Sequence, residues 1–316
     1  MDQRFGGGMS MEITDLQAEN QGKESFAEAG NPALTLIVEE KESPLETERQ
    51  ETHGWENPDI RNKEIYVGIP ILAIALAEML IYSGRVKEAI WLHAAILVGL
   101  SLFVTLMKNE EVYKTYQALL LLPILRLVNL SMPVFFDITL YSFVFIYAPL
   151  AIPVTIAAVN QHLTRGEVGI TFRKMWLYLP FSILLGFGMG VGEYLTIRTD
   201  YLIPDLSFLN ILRLTLVMVF FVGLIEEIIF RSMLQTRLNK LFGIWGGILL
   251  SSMLFGLMHS GYGTSYEVLY TFFVGAIIGY MFYKTRSLPF VAMVHGFVNV
   301  FLFGFIPHLG PGLGIL

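Results

Sequence analysis

The chain has 316 residues, of which 54% are hydrophobic and 15% charged, with a formal net charge of −6 and a mean hydropathy of +0.59. Soluble domains carry about 25% charged residues, so this composition excludes an ordinary water-soluble enzyme and points to a polytopic membrane protein. Cysteine is absent, which removes disulfides, Cys-ligated zinc and thiol nucleophiles.

The N-terminal 1–62 segment carries 14 Asp/Glu against 5 Lys/Arg. It is rich in Glu, Gln, Asn, Ser and Gly, and its one apolar patch spans 34–38. Such a stretch buries too little surface to offset its ordering entropy, so a disordered acidic tail is expected. The start, Met1 to Gly6, has no apolar core of the kind a cleavable signal peptide needs. The first membrane helix is expected to act as its own targeting signal.

The remainder, 63–316, reads as a transmembrane domain. About 20 apolar residues span a bilayer. Eight stretches qualify: 65–83, 89–107, 138–160, 176–196, 206–231, 241–259, 266–283 and 288–306. A ninth, 116–136, is interrupted by Pro123, Arg126, Asn129 and Pro133. Basic clusters stand at Arg85/Lys87, Arg165/Arg173/Lys174, Arg237/Lys240 and Lys284/Arg286. The positive-inside rule places all four on one side if 116–136 does not cross. The expectation is therefore an all-α bundle of about eight spans, with 116–136 re-entrant or interfacial and the tail opposite the basic side. It is a multi-pass protein of the cell membrane, with the lipid bilayer as its surroundings and no nucleic-acid partner. The oligomeric state is not legible.

Three short patterns fall on the later spans. In the first, Glu226 and Glu227 stand side by side within an apolar run, followed by Arg231. A carboxylate at membrane depth costs several kcal/mol unless compensated. Glu227 and Arg231, four apart, share a helix face and can pair. Glu226 lies about 100° around the helix and points elsewhere. The second pattern is Phe255 with His259, and the third is His295 with Asn299 four residues on. Glu226 and His259 lie at comparable distances from a shared turn near 240–241, hence at comparable depth on antiparallel helices. Glu78, Arg126, Asp137, Glu193 and Arg213 form no spaced motif, and snorkelling or helix pairing accounts for most of them. The glycines at 186, 188, 190, 192, 243, 246 and 247 read as sites of tight helix packing.

A carboxylate with an imidazole is the pair needed to deprotonate water. An imidazole with an amide suits an oxyanion. Glu226, His259 and His295 together also form a conceivable zinc site. Either arrangement implies hydrolysis. A transporter relaying protons through the Glu/His cluster, or a non-catalytic scaffold or immunity protein, are the competing readings. Transporters commonly show inverted repeats, and no repeat is visible.

At these residues the chain resembles the CPBP intramembrane proteases, which include the type II CAAX prenyl endopeptidases (Rce1-like) and the Abi proteins. Their motifs run Glu-Glu-x-x-x-Arg, Phe-x-x-x-His, His-x-x-x-Asn, in this order. They stand here at Glu226/Glu227/Arg231, Phe255/His259 and His295/Asn299, within 175–306. Ser232 occupies a position where many relatives have glycine. The resemblance implies an eight-helix fold with a polar cavity and a membrane-embedded endopeptidase acting on a peptide or prenylated protein. It casts Glu226 as general base on a water positioned by His259, Glu227 as held by Arg231, and His295 and Asn299 as oxyanion stabilisers. Whether a metal takes part is left open by the motifs.

Overall fold

The computed structural model describes residues 62–135 and 137–313, which form helices and short connections without a strand among them. The expected acidic tail, Asn62 apart, lies outside the described residues. Eight helical runs are long and apolar enough to cross a bilayer. Five come first: α1 (Lys63–Tyr82), α2 (Val86–Leu106), α3 (Glu110–Phe135), α4 (Leu140–Asn160) and α5 (Met175–Ile197). Next is one long run, Phe208–Tyr262, which reverses at Gly243 (φ 73°, ψ 170°) into two legs, α6 (208–242) and α7 (244–257). Then come α8 (Ser265–Thr285) and α9 (Leu288–Gly310). Glycine takes a positive φ without the Cβ penalty other residues meet, which lets the reversal occur within one residue. The two legs lie antiparallel: Ser251 Oγ donates to the Phe230 carbonyl at 2.9 Å, and the Phe230 and Phe255 rings meet edge-to-face at 5.1 Å.

The 116–136 segment departs from its expected re-entrant form. It lies in a continuous helix over Glu110–Phe135, as able to cross as its neighbours. The features that read as interruptions are absorbed by other helices. Arg126 is paired with Glu78 of α1 through Nε and Nη2, at 2.8 and 2.6 Å. Proline is tolerated inside membrane helices when neighbours and local adjustments satisfy the freed backbone groups, and Pro123 and Pro133 both sit inside α3.

The charge pattern changes accordingly. Lys63 pairs with Glu111 at 3.0 Å, Gln161 donates to the Lys114 carbonyl, and Arg237 and Lys240 each lie 3.7 Å from Glu167. The Leu288 N–H donates to the Gly169 carbonyl at 2.8 Å. One end of the bundle therefore gathers Lys63, Lys108 and Lys114, the 165–174 bases, Arg237 and Lys240, and Lys284 and Arg286. Among the described residues, the other end holds only Arg85, Lys87, Arg198 and Arg213. Crossing by α3 moves Arg85 and Lys87, not the rest, to the sparse end. It also brings the start of α1 to the basic end. At the basic end, burial works to raise the Glu167 carboxyl, but the Thr164 N–H and the Arg237 and Lys240 cations outweigh it and hold it below the ordinary value.

The outward faces are apolar. Ile65, Ile69, Leu72 and Leu76 of α1 and Trp176 and Leu184 of α5 are all exposed, as a surface meeting lipid requires. At the centre is α9: 72% of its most apolar window is buried, against 22% for α2 and α5. Small residues let it approach its neighbours. A Cβ on Gly296 would lie 2.6 Å from Val219 Cα of α6, and one on Gly186 would lie 2.5 Å from Phe297 Cβ. The Gly296 contact sets the carrier of His295 directly against the carrier of the two glutamates.

Candidate active site

The glutamate pair sits on a short α-helical stretch, Leu224–Glu227, between two π-helical stretches, Val217–Gly223 and Ile228–Gln235. Such wide turns are rare and cluster at functional sites. The four-residue pairing survives them: Arg231 Nε lies 3.1 Å from Glu227 Oε2. Arg231 also donates through Nη2 to the Gly275 carbonyl at 3.1 Å, and its guanidinium lies 4.6 Å from the centroid of the Phe255 ring. Both partners are sealed from solvent, Glu227 at 0% and Arg231 at 1% exposure.

Glu226 faces the other way, into a cavity of about 580 Å³ whose wall also includes His259, His295, Asn299 and Tyr147. His259 follows the end of α7. Its Nδ1 lies 2.9 Å from the Phe255 carbonyl, an acceptor only, so Nδ1 carries the proton and the Nε2 lone pair remains free for a ligand or water. His295 Nδ1 lies 2.8 Å from Glu227 Oε1, while its Nε2 lies 3.8 Å from Glu226 Oε2. The imidazole thus bridges the buried carboxylate and the cavity-facing one. Phe255 packs against both histidines, 5.0 Å from His259 and 5.7 Å from His295 between centroids. All six expected residues are brought to one locality: Glu226, His259, His295 and Asn299 on the cavity wall, Glu227 and Arg231 directly behind it.

The zinc set does not assemble. Among the described residues no group of three or more His, Asp or Glu side chains could hold a metal ion. Glu226 is engaged by the Tyr147 hydroxyl, and His259 comes from a different helix end. Glu226, His259 and His295 share a cavity without converging on one point.

Other participants either gave no signal in the sequence, as Tyr147, or read there only as scattered charges, as Glu193, Glu78 and Arg126. Tyr147 of α4 donates to Glu226 Oε1, yet it is an uncharged residue in an apolar span. Glu193 of α5 reaches the same cavity, and Thr196 donates to Glu267 Oε2 at 2.6 Å. Glu78 and Arg126 are a deep interhelical pair rather than snorkelling side chains, and Arg126 also donates to the Met258 carbonyl, next to His259.

Residues 208–301 match the family of type II CAAX prenyl endopeptidases, Rce1-like. The chain carries an Rce1-like domain. It contains α6, α7, α8 and most of α9, and with them all three motifs. No curated protein and no solved structure matches the chain.

Proposed function

We propose that this multi-pass membrane protein is an intramembrane endopeptidase that hydrolyses a peptide bond with a glutamate-activated water. The observation that carries this reading is the division of labour between adjacent glutamates: Glu227 is neutralised by Arg231 in a sealed site, and Glu226 is turned into the cavity beside two imidazoles. A cavity walled largely by apolar and aromatic side chains, with a few polar groups among them, has the usual form of a small-molecule or peptide site.

In this mechanism a water lies between Glu226 and His259 Nε2. Glu226 takes one proton as the hydroxide attacks the scissile carbonyl, and His259 accepts a hydrogen bond from the other. Glu227 accepts from His295 Nδ1–H, which fixes the ring and leaves Nε2 toward the cavity. In this reading His295, through Nε2, and the Asn299 amide together stabilise the oxyanion of the tetrahedral intermediate. Collapse of the intermediate returns the Glu226 proton to the leaving amine. Tyr147 holds Glu226 Oε1, so the attack uses the other oxygen.

The test is hydrolysis by detergent-purified protein, wild type beside Glu226→Gln, on a prenylated CAAX peptide and a general peptide library. Cleavage that disappears in the variant supports the mechanism, and the cleaved sequence defines the substrate class. Equal cleavage by both proteins overturns it.

A further inference from the structure

The cavity has a direction. Its inner wall is formed by Glu226 and His295, each under 10% exposed, and behind them Ile229, Met233 and Leu234 of α6 are fully buried. Its outer wall is formed by Ile138, Asp200, Tyr201 and Tyr262, all exposed. Every one of these outer residues lies in or beside a connection at the same end of the bundle: α3–α4, α5–α6 or α7–α8. The Leu202 N–H donates to the Phe303 carbonyl at 2.9 Å, and Arg126 donates to the Met258 carbonyl, which ties these connections to the far halves of α9 and α3. The mouth therefore opens at the end opposite the basic one.

That end is the one poor in Lys and Arg, four against ten at the sealed end among the described residues. Basic residues flanking membrane helices are retained on the cytoplasmic side, and short loops such as these are the ones in which the bias sets orientation. We infer that the cavity opens to the non-cytoplasmic side, so that the site takes its substrate from there: an exported or membrane-inserted polypeptide whose scissile segment lies outside the cytoplasmic leaflet. The substrate class rests on the peptidase reading above, whereas the direction of the opening rests only on charge and geometry.

The absence of native cysteine allows single thiols to report sidedness without background. A Cβ on Gly261, at the mouth, would stand in open space, and one on Gly166, between α4 and α5 at the basic end, would meet only Thr164 Oγ1, at an ordinary 3.9 Å. The full chain carrying Gly166→Cys, Gly261→Cys or, as a second thiol at the mouth end, Asp205→Cys would be expressed in a bacterial inner membrane. A membrane-impermeant maleimide is then added to spheroplasts, with denatured samples giving total thiol. Labelling of the two mouth-end thiols from outside, with Gly166→Cys labelled only after permeabilisation, is the expected result. Labelling of Gly166→Cys from outside, or protection of both mouth-end thiols until permeabilisation, overturns the inference. A tethered peptide reporter displayed on either side supplies the second arm. Cleavage of the outer reporter alone, lost in Glu226→Gln, supports the substrate side. Cleavage of the inner reporter alone overturns it. Cleavage of neither, with labelling as expected, counts against the peptidase reading and leaves the orientation standing.

Discussion

Two clusters of charge lie buried in this bundle, and they are built on opposite plans. In the first, Glu78 has both oxygens occupied: Arg126 Nε at 2.8 Å and His93 Nε2 at 3.3 Å face Oε1, and Arg126 Nη2 at 2.6 Å and Ser260 Oγ at 2.8 Å face Oε2. In the second, the carboxylates are split. Glu227 is held by Arg231 and His295, and Glu226 keeps Oε2 toward the cavity, with His295 Nε2 no closer than 3.8 Å. A saturated carboxylate has no lone pair to offer a water. The first cluster is a clasp, joining α1, α2 and α3 to the 258–260 turn that carries His259. The second has a reactive group left over, and that surplus is what separates a site from a strut.

The largest effect is expected at that surplus. Glu226→Gln removes the base while keeping the shape and the Tyr147 contact, so turnover should fall by about 10²–10⁴-fold with the unfolding midpoint in detergent little changed. If Glu226→Gln instead destabilises the protein as strongly as a mutation in the clasp, the two clusters are of one kind and the distinction fails.

Breaking the clasp should do the reverse. Arg126→Met leaves Glu78 buried and short of its main partner, a loss of about 3–5 kcal/mol in stability, read as a fall in the thermal midpoint. Adding Glu78→Met should recover much of it, because replacing both members of a buried pair by apolar groups is often neutral. A double-mutant cycle measures that coupling directly. No recovery in the double variant would mean that the pair is not what holds α1 to α3.

Asn299→Ala probes the proposed oxyanion donor. Losing one such donor lowers turnover by about 10²–10³-fold, expected in kcat with KM nearly unchanged and stability within error of wild type. A rise in KM alone would make Asn299 a binding residue.

The two clusters also differ in how far the sequence revealed them. Glu227/Arg231 and His295/Asn299 are each four apart, within one turn of one helix, and helix geometry alone puts each pair on a face. The pairing of Glu78 with Arg126 spans 48 residues and that with Ser260 spans 182. No local period encodes such partners, so both residues read as stray charges, and α3 read as an interrupted segment because the neutraliser of Arg126 lies on another helix. The reversal at Gly243 was legible as two spans with a turn, but the bridging role of His295 was not. It depends on the contact of Gly296 with Val219, a matter of helix packing rather than of spacing. Tyr147 gave no sign for a similar reason: a tyrosine in an apolar span is ordinary until a carboxylate on a neighbouring helix is found against its hydroxyl.

The smallest effect distinguishes a clasp that merely stabilises from one that also positions. Ser260→Ala removes one of the hydrogen bonds to Glu78 and leaves both contacts from Arg126. A hydrogen bond to a charged group contributes about 1.5–3 kcal/mol, and the remaining guanidinium bonds hold the loss toward the lower figure. Ser260 is adjacent to His259, whose Nδ1 is held by the Phe255 carbonyl. If the clasp sets the position of that imidazole, turnover of Ser260→Ala should fall several-fold at temperatures where the variant is fully folded, and Ser260→Thr, which restores a hydroxyl, should recover it. A drop in the thermal midpoint with unchanged turnover would confine the clasp to stability.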